Sequence, residues 1–581
     1  MFRFPARRLL LLAVMLCVQA AHLGALPAAD GSGETEAQRD ARMQWWREAR
    51  FGMFVHWGLY CVPAGTWKGQ ATPIDNAHIM RSMKIPVAEY SALAARFNPV
   101  DFDAEKLALL AKAAGMKYVV FTAKHHEGFA MFHSVVSPYN IYDATPFKRD
   151  PVAELAAACR KHGLKLGLYY SHARDWYHPG GSWGKDGKTK PWDPALEGDM
   201  DHYLDTVAIP QAKELLSRYG DIAVIWWDTP DNMTPARVKR LEAVLALQPG
   251  IISNDRWGAG FRGDYRTSEQ FVPGAAEQRD WEACMTINRS WAYNENDRDW
   301  KSASQLVQIL IDTASKGGNY LLDVGPDARG NVQPEAIERL RGMGEWLRRN
   351  GEAVYDTGAG PFRYLAWGRA TQKPGRLFLH VFDWPKDGRL LVPVAGGIKR
   401  VYPLGRPDEN LATKATKAGV EIAVPAQGWD PVVSVMVAEV EGPLVAVRQG
   451  ISAGDDGRFT LGAGNGVPHG LHIRVQGGDV VEWRSGYYMT WPIYVETPGR
   501  YRLEVTYATR DATADPAGFQ FLLENAKLAA TLPPTKSPAD FSTIIVGEID
   551  ATAAGTCLLK WEALRGAVPS VIFQKLTLTR R

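Results

Sequence analysis

Between about residue 45 and residue 350, short apolar runs alternate with amphipathic stretches. Asp103–Ala114 and Pro334–Arg349 repeat apolar side chains at helical spacing, which predicts two helices. The predicted strands are Gly52–Trp57, Tyr118–Lys124, Lys165–Ser171, Ile222–Trp227, Gly250–Asn254, Trp281–Ile287 and Asn319–Val324. Alternating strands and helices form parallel sheets, so the pattern predicts an α/β fold, a (β/α)8-like barrel with one irregular strand. An open doubly wound sheet is the alternative, although no GxGxxG follows the first strand.

The pattern changes after Gly351, where short strands lie between Gly, Pro and Asp turns and no long amphipathic stretch intervenes. Such spacing is typical of antiparallel β-sandwiches. A further β-rich region follows Gly450. We therefore assign residues 30–355 to the barrel, residues 356–445 to a β-sandwich and residues 446–581 to a second β-rich domain.

The first 29 residues are typical of a signal peptide. Arg3, Arg7 and Arg8 form a basic start, and the apolar run Leu9–Val18 is too short to span a bilayer. Small residues follow as far as Ala29 and offer cleavage sites. We therefore expect an exported protein that is periplasmic or secreted; a buried N-terminal helix is the alternative.

The composition mainly excludes classes of partner and of site. Hydrophobic residues make up 46% of the chain and charged residues 23%, an ordinary balance for globular domains. The formal net charge of +3 is small for 581 residues, so no nucleic-acid partner is expected. No segment after the signal peptide is apolar enough to span a membrane. Cys61, Cys159, Cys284 and Cys557 are far apart without a CxxC pair, so we expect buried free thiols.

Polar side chains follow several predicted strands. In a (β/α) barrel, the reactive groups lie at the C-terminal ends of the strands. Side chains able to bind hydroxyl groups stand at these ends, among them His56, His125, His126, Tyr170 and Arg256. Thirteen of the twenty tryptophans lie within residues 45–300, and flat indole faces suit the C–H faces of sugar rings. The combination favours a carbohydrate site, although core packing accounts for some of the tryptophans.

Asp228 is the strongest candidate for a nucleophile. It follows a buried apolar strand, where an ionised carboxylate lowers the stability of the fold unless it is paired or has a function. Glycoside hydrolysis needs two carboxylates that flank the scissile bond. Glu269 and Glu282 are both candidates for the second carboxylate. We expect Glu269 to lie in a polar connection on the substrate side and Glu282 to begin a strand on the opposite face.

A metal site is a weaker interpretation of the His125-His126 pair. Adjacent residues of a strand point to opposite sides, so one strand is not expected to give both histidines to one ion. HExxH is absent. We therefore expect no metal ion and no cofactor.

Five motifs together resemble glycoside hydrolase family 29, the α-L-fucosidases. They are FGMFVHWG at residues 51–58, KHHEGF at 124–129, GLYYS at 167–171, NDRWG at 254–258 and KGGNYLL at 316–322. The resemblance is dense over residues 45–360 and extends loosely to about 440. It implies a retaining exo-glycosidase that releases terminal α-L-fucose from glycans by a two-step covalent mechanism, without cofactor or metal.

The resemblance also implies roles for individual residues. Asp228 resembles the nucleophile and Glu269 the acid/base, with Glu282 as the alternative. The residues similar to those that bind fucose hydroxyls are His56, His125, His126, Tyr170 and Arg256, and those similar to the pocket for the C6 methyl are Phe54, Trp226 and Trp291. Many relatives carry a Glu-Trp pair where this chain has Ala77-His78, so a hydroxyl-binding carboxylate is lost or supplied from elsewhere.

The last domain and the substrate leave alternatives open. Residues 491–501, WPIYVETPGRY, resemble carbohydrate-binding β-sandwich modules, which implies glycan binding by residues 446–581; a structural appendage is the alternative. The expected partner is a fucosylated oligosaccharide or glycoconjugate. The alternatives are a glycosidase for a related L-sugar such as L-galactose and a glycan-binding protein without catalysis. The sequence does not indicate the oligomeric state.

Overall fold

The computed structural model describes residues 34–581 except 73–74, 185–186, 274–278, 363–364, 366, 448–449, 455, 470–473, 477–478, 482, 484–485, 514 and 565–570. The predicted signal peptide lies outside the described residues. Two compact units are distinguished, Met1–Gln44 and Trp45–Arg581. In the described part of the first unit, helix α1 (Glu36–Ala49) begins. No helix among the described residues is long and apolar enough to cross a membrane.

Eight parallel strands form the central sheet of the second unit. They are β1 (Phe51–Val55), β2 (Tyr118–Lys124), β3 (Lys165–Tyr170), β4 (Val224–Trp227), β5 (Ile252–Ser253), β6 (Arg266–Glu269), β7 (Trp281–Thr286) and β8 (Asn319–Val324). Their order in the sheet is β5-β4-β3-β2-β1-β8-β7-β6. A parallel bridge between Asn254, just after β5, and Tyr265, just before β6, joins the two edges. The predicted (β/α)8-like barrel is thereby confirmed, and the open sheet is excluded.

Amphipathic helices surround the strands. They are α2 (Ala104–Ala113), α3 (Pro151–His162), α4 (Ile209–Arg218), α5 (Pro235–Glu242), α6 (Ala303–Ser315) and α7 (Pro334–Asn350). The two helices predicted from the sequence pattern are α2 and α7. The Asp103 side chain caps α2 by accepting from the Lys106 N–H. Gly344 lets α7 approach α2, because a Cβ there would lie 1.9 Å from the Ala113 carbonyl oxygen.

Shorter elements lie in the connections. The short α-helices are Ile79–Ser82, Val87–Ser91 and Met200–Tyr203, and Leu204–Ala208 is a π-helical turn. The 3₁₀ turns are Leu59–Cys61, Asn76–His78, Ala92–Arg96, Pro194–Leu196, Ala243–Leu247, Gly351–Ala353 and Ala463–Asn465. Thr66–Trp67 and Gln70–Ala71 pair as a small hairpin.

Strand β6 is the irregular strand that the sequence pattern did not locate. Its residues, Arg-Thr-Ser-Glu, contain no apolar run, yet they pair in register with β7 from Arg266 opposite Trp281 to Glu269 opposite Cys284. The expectation that Glu269 lies in a polar connection is therefore wrong, because Glu269 ends a barrel strand. In the described residues, no α-helix lies between β5 and β6 or between β6 and β7.

A first β-sandwich follows the barrel. Its strands are β9 (Gly358–Ala359), β10 (Gly368–Lys373), β11 (Arg376–Val381), β12 (Arg389–Val392), β13 (Ile398–Pro403), β14 (Thr413–Thr416), β15 (Gly419–Ala423) and β16 (Ser434–Val440). The sheets β9-β10-β11-β16-β13 and β12-β15-β14 share an aliphatic core. The Trp346 indole N–H of α7 donates to the Val433 carbonyl at 2.9 Å and joins this sandwich to the barrel.

A second β-sandwich, called the C-terminal sandwich below, comprises residues 458–580. Its strands are β17 (Arg458–Gly462), β18 (Val467–His469), β19 (Arg474–Gln476), β20 (Asp479–Val481), β21 (Tyr488–Val495), β22 (Gly499–Thr509), β23 (Ala517–Leu523), β24 (Ala526–Leu532), β25 (Ser542–Ala551), β26 (Gly555–Ala563) and β27 (Val571–Arg580). Sheets β19-β20-β27-β22-β25, with β17 on β27, and β18-β21-β26-β23-β24 enclose a core rich in aromatic side chains. The fold class predicted from the sequence, a barrel followed by β-sandwiches, is thus confirmed. Cys61, Cys159, Cys284 and Cys557 are buried and free.

Candidate active site

Asp228 lies in a pocket at the C-terminal ends of the barrel strands. It is the first residue beyond β4, and its Oδ2 accepts a hydrogen bond from the Tyr169 hydroxyl at 2.7 Å. Its Oδ1 accepts from Arg256 Nη1 and from the Thr229 N–H, both at 2.7 Å. Burial alone would raise the pKa of Asp228, but the Arg256 guanidinium and the Tyr169 hydroxyl hold that pKa below its ordinary value. Asp228 is therefore ionised at neutral pH.

Arg256 joins Asp228 to a second carboxylate. Its Nη2 donates to Glu269 Oε2 at 2.7 Å, and its Nε donates to Thr267 Oγ1 at 3.0 Å. The guanidinium lies over the Trp226 ring, 4.8 Å from the ring centroid. The Glu269 side chain is 43% exposed, whereas that of Asp228 is 10% exposed. Asp228 is thus on the inner side of the guanidinium and Glu269 is on the side open to solvent.

His126 presents an unprotonated nitrogen to Asp228. The Ser171 hydroxyl donates to the Arg174 carbonyl at 2.7 Å, so its oxygen accepts the His126 Nδ1–H at 2.7 Å. Burial lowers the pKa of His126 well below its ordinary value, so the ring is neutral and Nε2 carries a lone pair. This nitrogen is 3.4 Å from Asp228 Oδ2. The Thr229 hydroxyl, 3.3 Å from Nε2, can donate to it. Two acceptors therefore face one another, and a bound hydroxyl group can donate to one of them.

The argument that strand alternation keeps the two histidines apart was wrong. β2 ends at Lys124, so the alternation does not extend to His125 and His126, whose ring centroids are 4.2 Å apart. His125, His126 and Asp228 each offer a ligand atom, and these atoms lie within 4.8 Å of one another. The geometry could hold a cation, although the Asp228 oxygens already accept three hydrogen bonds. That catalysis needs no metal stays a prediction.

The remaining predicted residues divide into those that line the pocket and one that does not. Phe54, His56, His125, His126, Trp226, Arg256 and Trp291 line it together with Asp228 and Glu269. Tyr170 lies outside it, because its hydroxyl donates to Gln211 at 2.8 Å. The prediction for Tyr170 was therefore wrong. Tyr169 occupies the pocket instead, since strand alternation sends neighbouring side chains to opposite faces.

The structure adds pocket residues that the sequence did not reveal. They are His78, Tyr169, Thr229 and Cys284. His78 donates its Nδ1–H to Asp75 Oδ2 at 2.8 Å. Asp75 also accepts from the Trp291 N–H at 3.2 Å. A carboxylate thus stands directly behind His78, three residues earlier in the chain.

Glu282 is the second residue of β7, near the beginning of the strand as expected, and it lies inside the barrel. It is fully buried and accepts from the Tyr118 hydroxyl at 2.7 Å and the Trp226 indole N–H at 2.9 Å. Burial raises the pKa of Glu282 to about 7. Its two oxygens are held by side chains beneath the pocket, and the pocket lining does not include it.

His56 has a comparable partner behind it. Its Nδ1 is 2.7 Å from Asp323 Oδ1 on β8, and both side chains are buried. Burial raises the pKa of Asp323 to about 6, so this carboxylate is ionised at neutral pH and accepts the Nδ1 proton. His56 lines the pocket with this carboxylate behind it.

Fold and site together define a class of protein. A (β/α) barrel carries two carboxylates, several histidines, an arginine and an aromatic wall at the C-terminal ends of its strands. This is the constellation of a glycoside hydrolase.

Comparison with known proteins identifies the family. The sequence model of the alpha-L-fucosidase family matches residues 25–352. The tissue alpha-L-fucosidase of Rattus norvegicus is 33% identical over 409 residues, 65% of this chain and 82% of that protein. An alpha-L-fucosidase structure from a Vibrio species shares 29% identity at a TM-score of 0.67 and covers 93% of this chain and 98% of its own.

A second solved structure bears on the reaction. An alpha-L-fucosidase of family 29 from Bacteroides thetaiotaomicron, trapped as a covalent intermediate with 2-fluoro-fucosyl fluoride, shares 29% identity at a TM-score of 0.65 and covers 72% of this chain and all of its own. The present chain belongs to the α-L-fucosidase family, glycoside hydrolase family 29, and is a glycoside hydrolase.

The hydrogen bond from Tyr169 predicts a shift in the pH dependence of activity. Tyr169→Phe removes a donor that stabilises the ionised form of Asp228, so the pKa of Asp228 rises and activity is lost at a higher pH on the acid side. The pH profile of kcat/KM on an aryl α-L-fucoside measures this shift. Tyr170→Phe is the matched control, since that hydroxyl contacts Gln211. An acid limb that is unchanged in Tyr169→Phe would contradict the prediction.

Proposed function

We propose that this protein hydrolyses terminal α-L-fucosides by a two-step retaining mechanism with Asp228 as nucleophile and Glu269 as acid/base. The observation that carries the assignment is the single guanidinium, Arg256, to which both carboxylates are hydrogen-bonded. A retaining mechanism requires two carboxyl groups roughly 5–5.5 Å apart, one as nucleophile and the other as proton donor.

In the first step, Asp228 attacks the anomeric carbon and the bond to the leaving oxygen breaks. The protonated form of Glu269, no longer paired with Arg256, donates its proton to that oxygen, so the aglycone leaves as an alcohol; the second step returns this proton to Glu269. In the second step, Glu269 accepts a proton from water, whose oxygen attacks the anomeric carbon and releases Asp228. The greater exposure of Glu269 supports this division, since the acid/base must meet both the aglycone and water.

We assign hydroxyl binding to His56, His125, His126 and Arg256, as the family resemblance implies. The neutral His126 ring supports it, because Nε2, 3.4 Å from Asp228 Oδ2, can accept a hydrogen bond from a sugar hydroxyl. His78, backed by Asp75, stands where relatives carry the Glu-Trp pair, and we assign it a hydroxyl-binding role.

Specificity for fucose over L-galactose rests on the aromatic wall. Phe54 lies 5.0 Å from Trp226 and 6.0 Å from Trp291 between ring centroids. We assign these three rings to the C6 methyl. The C6 hydroxyl of L-galactose would need a polar partner there, and an unpaired buried hydroxyl is costly. Relative kcat/KM on aryl α-L-fucoside and aryl L-galactoside tests the assignment, and a preference for the galactoside would contradict it.

Export is proposed from the N-terminal sequence alone. The basic start and short apolar run of residues 1–29 support a signal peptide, and hence a periplasmic or secreted enzyme that meets fucosylated oligosaccharides or glycoconjugates outside the cytoplasm. N-terminal sequencing of the expressed enzyme tests this proposal, and an intact Met1 on the mature protein would contradict it.

Asp228→Ala should abolish turnover without unfolding the protein. Removal of a covalent nucleophile is expected to lower kcat on the order of 10⁴-fold or more. Azide can take the vacant position and attack the anomeric carbon, which yields a fucosyl azide of inverted configuration. The measurement is turnover of an aryl fucoside with and without azide, with product configuration read by NMR. Near-normal activity would remove Asp228 from the mechanism.

Leaving-group dependence distinguishes Glu269 from Glu282. Loss of the general acid should lower kcat/KM by roughly 10²–10⁴-fold on a poor leaving group and far less on an activated aryl fucoside. We expect this pattern for Glu269→Gln. Glu282→Gln keeps an oxygen for Tyr118 and Trp226 and should leave the ratio of the two rates unchanged. The reverse result would show that Glu282 is the acid.

A further inference from the structure

The C-terminal sandwich holds the chain segment that directly follows Glu269. His469 Nδ1 lies 3.0 Å from the Val272 carbonyl oxygen. A carbonyl can only accept, so Nδ1 carries the proton and Nε2 accepts from the Thr490 hydroxyl at 2.8 Å. His469 is 1% exposed, and burial lowers its pKa to about 3, so it remains neutral at any working pH. This buried contact joins the C-terminal sandwich to the barrel.

A cluster of three rings reinforces the contact. Strands β18 and β21 pair so that His469 lies opposite Tyr488, and their rings stack at 4.5 Å between centroids. The Phe271 ring of the barrel meets both edge-on, at 6.2 Å from His469 and 6.3 Å from Tyr488. Perpendicular and stacked rings are favourable aromatic geometries. Phe271 is two residues beyond Glu269, so the cluster acts close to the carboxyl.

The residue between Glu269 and this cluster is held from the other side. Gln270 has a φ of 63°, a left-handed conformation that a residue other than glycine keeps only when its surroundings impose it. Its N–H donates to the Cys284 carbonyl at 2.9 Å, and its side-chain oxygen accepts from the Thr286 N–H at 3.2 Å. Strand β7 thus anchors Gln270, while the C-terminal sandwich anchors Phe271 and Val272.

We propose that the C-terminal sandwich is part of the catalytic apparatus, with His469 and Tyr488 as positioning residues that fix the Glu269 carboxyl through Phe271 and Val272. The inference rests on the proposed acid/base role of Glu269. In the described residues, no helix joins β6 to β7, and the sandwich contacts the residues that directly follow β6. Loss of the contact lets the turn at Gln270 relax, and the carboxyl then stands less often where it can protonate the leaving oxygen.

The test compares two variants that each remove one buried donor to a main-chain carbonyl and keep an aromatic ring. His469→Phe removes the bond to Val272. Tyr507→Phe, the matched control, removes the bond from the Tyr507 hydroxyl to Pro533 at 2.7 Å elsewhere in the same sandwich. Both are measured as full-length enzyme on an α-L-fucoside with a poor leaving group and on an activated aryl fucoside, with unfolding temperatures in parallel.

We expect His469→Phe to lower kcat/KM about tenfold on the poor leaving group and less than twofold on the activated one, a part of the effect of removing a general acid. Tyr507→Phe should leave the ratio of the two rates as in the wild type. His469→Asn, whose side-chain amide can donate from near the Nδ1 position, should restore much of the ratio. Phe271→Ala removes the ring on the barrel side and should change the ratio in the same direction. It tests the positioning inference if His469→Phe does not fold.

Glu269→Gln, measured alongside, distinguishes failure of the positioning inference from failure of the acid assignment. If Glu269→Gln changes the ratio but folded His469→Phe and Phe271→Ala do not, the positioning inference is overturned and the acid assignment stands. A ratio that shifts equally in Tyr507→Phe also overturns the inference, because the effect then follows from general destabilisation. If Glu269→Gln itself leaves the ratio unchanged, the acid assignment fails and the inference fails with it.

Discussion

The arrangement of the site depends on one guanidinium between two carboxylates. Asp228 follows β4 and Glu269 ends β6, and two carboxylates brought close together repel one another. Arg256 satisfies both through separate nitrogens, each at 2.7 Å. Because its donors form a rigid planar fork, it also fixes how far apart the two groups can stand. A lysine could supply the charge but not this geometry.

The layer beneath Arg256 explains why a perturbed pKa alone does not identify the acid. Trp226 supports the guanidinium from below, and the buried Glu282 accepts its indole N–H. With a pKa of about 7, Glu282 titrates where a general acid would be expected to. Its oxygens, however, are occupied by Trp226 and Tyr118, on the far side of the indole from the substrate. Geometry assigns Glu282 to the support of Trp226, and Glu269 is the second carboxyl that lines the pocket with Asp228.

The parts of the fold and of the site that could be predicted from the sequence are those that show in the local pattern of apolar and polar residues. Apolar runs and helical spacing located seven of the eight strands, and Asp228 was recognisable because a charge follows a buried strand. Strand β6 was not, since Arg-Thr-Ser-Glu has no apolar period and is a strand only because it pairs with β7. Tyr169 and Tyr170 were exchanged because the face of a strand depends on one residue of register.

Long-range contacts were beyond the sequence pattern altogether. Nothing in the local sequence around His469 indicates that it meets Val272, which lies 197 residues earlier in the chain. The carbohydrate-binding role expected of the last domain rested on a short run of residues and remains a prediction. The proposed positioning of Glu269 is a second role for that domain. It rests on a contact that only the tertiary structure shows.

The least buried strand of the barrel is also the strand that carries the proposed acid/base. A strand of Arg, Thr, Ser and Glu buries little apolar area, so hydrogen bonds must hold it in place. The Asp255 side chain accepts from the Thr267 N–H at 3.0 Å and from its hydroxyl at 2.8 Å. Asp264 accepts from the Ser253 N–H at 2.7 Å next to the bridge that closes the barrel. Catalysis requires polar side chains here, and polar side chains cannot supply a packed core. The chain meets this conflict with side-chain hydrogen bonds on the β5 side, pairing with β7 on the other, and a separate sandwich against the residues that follow.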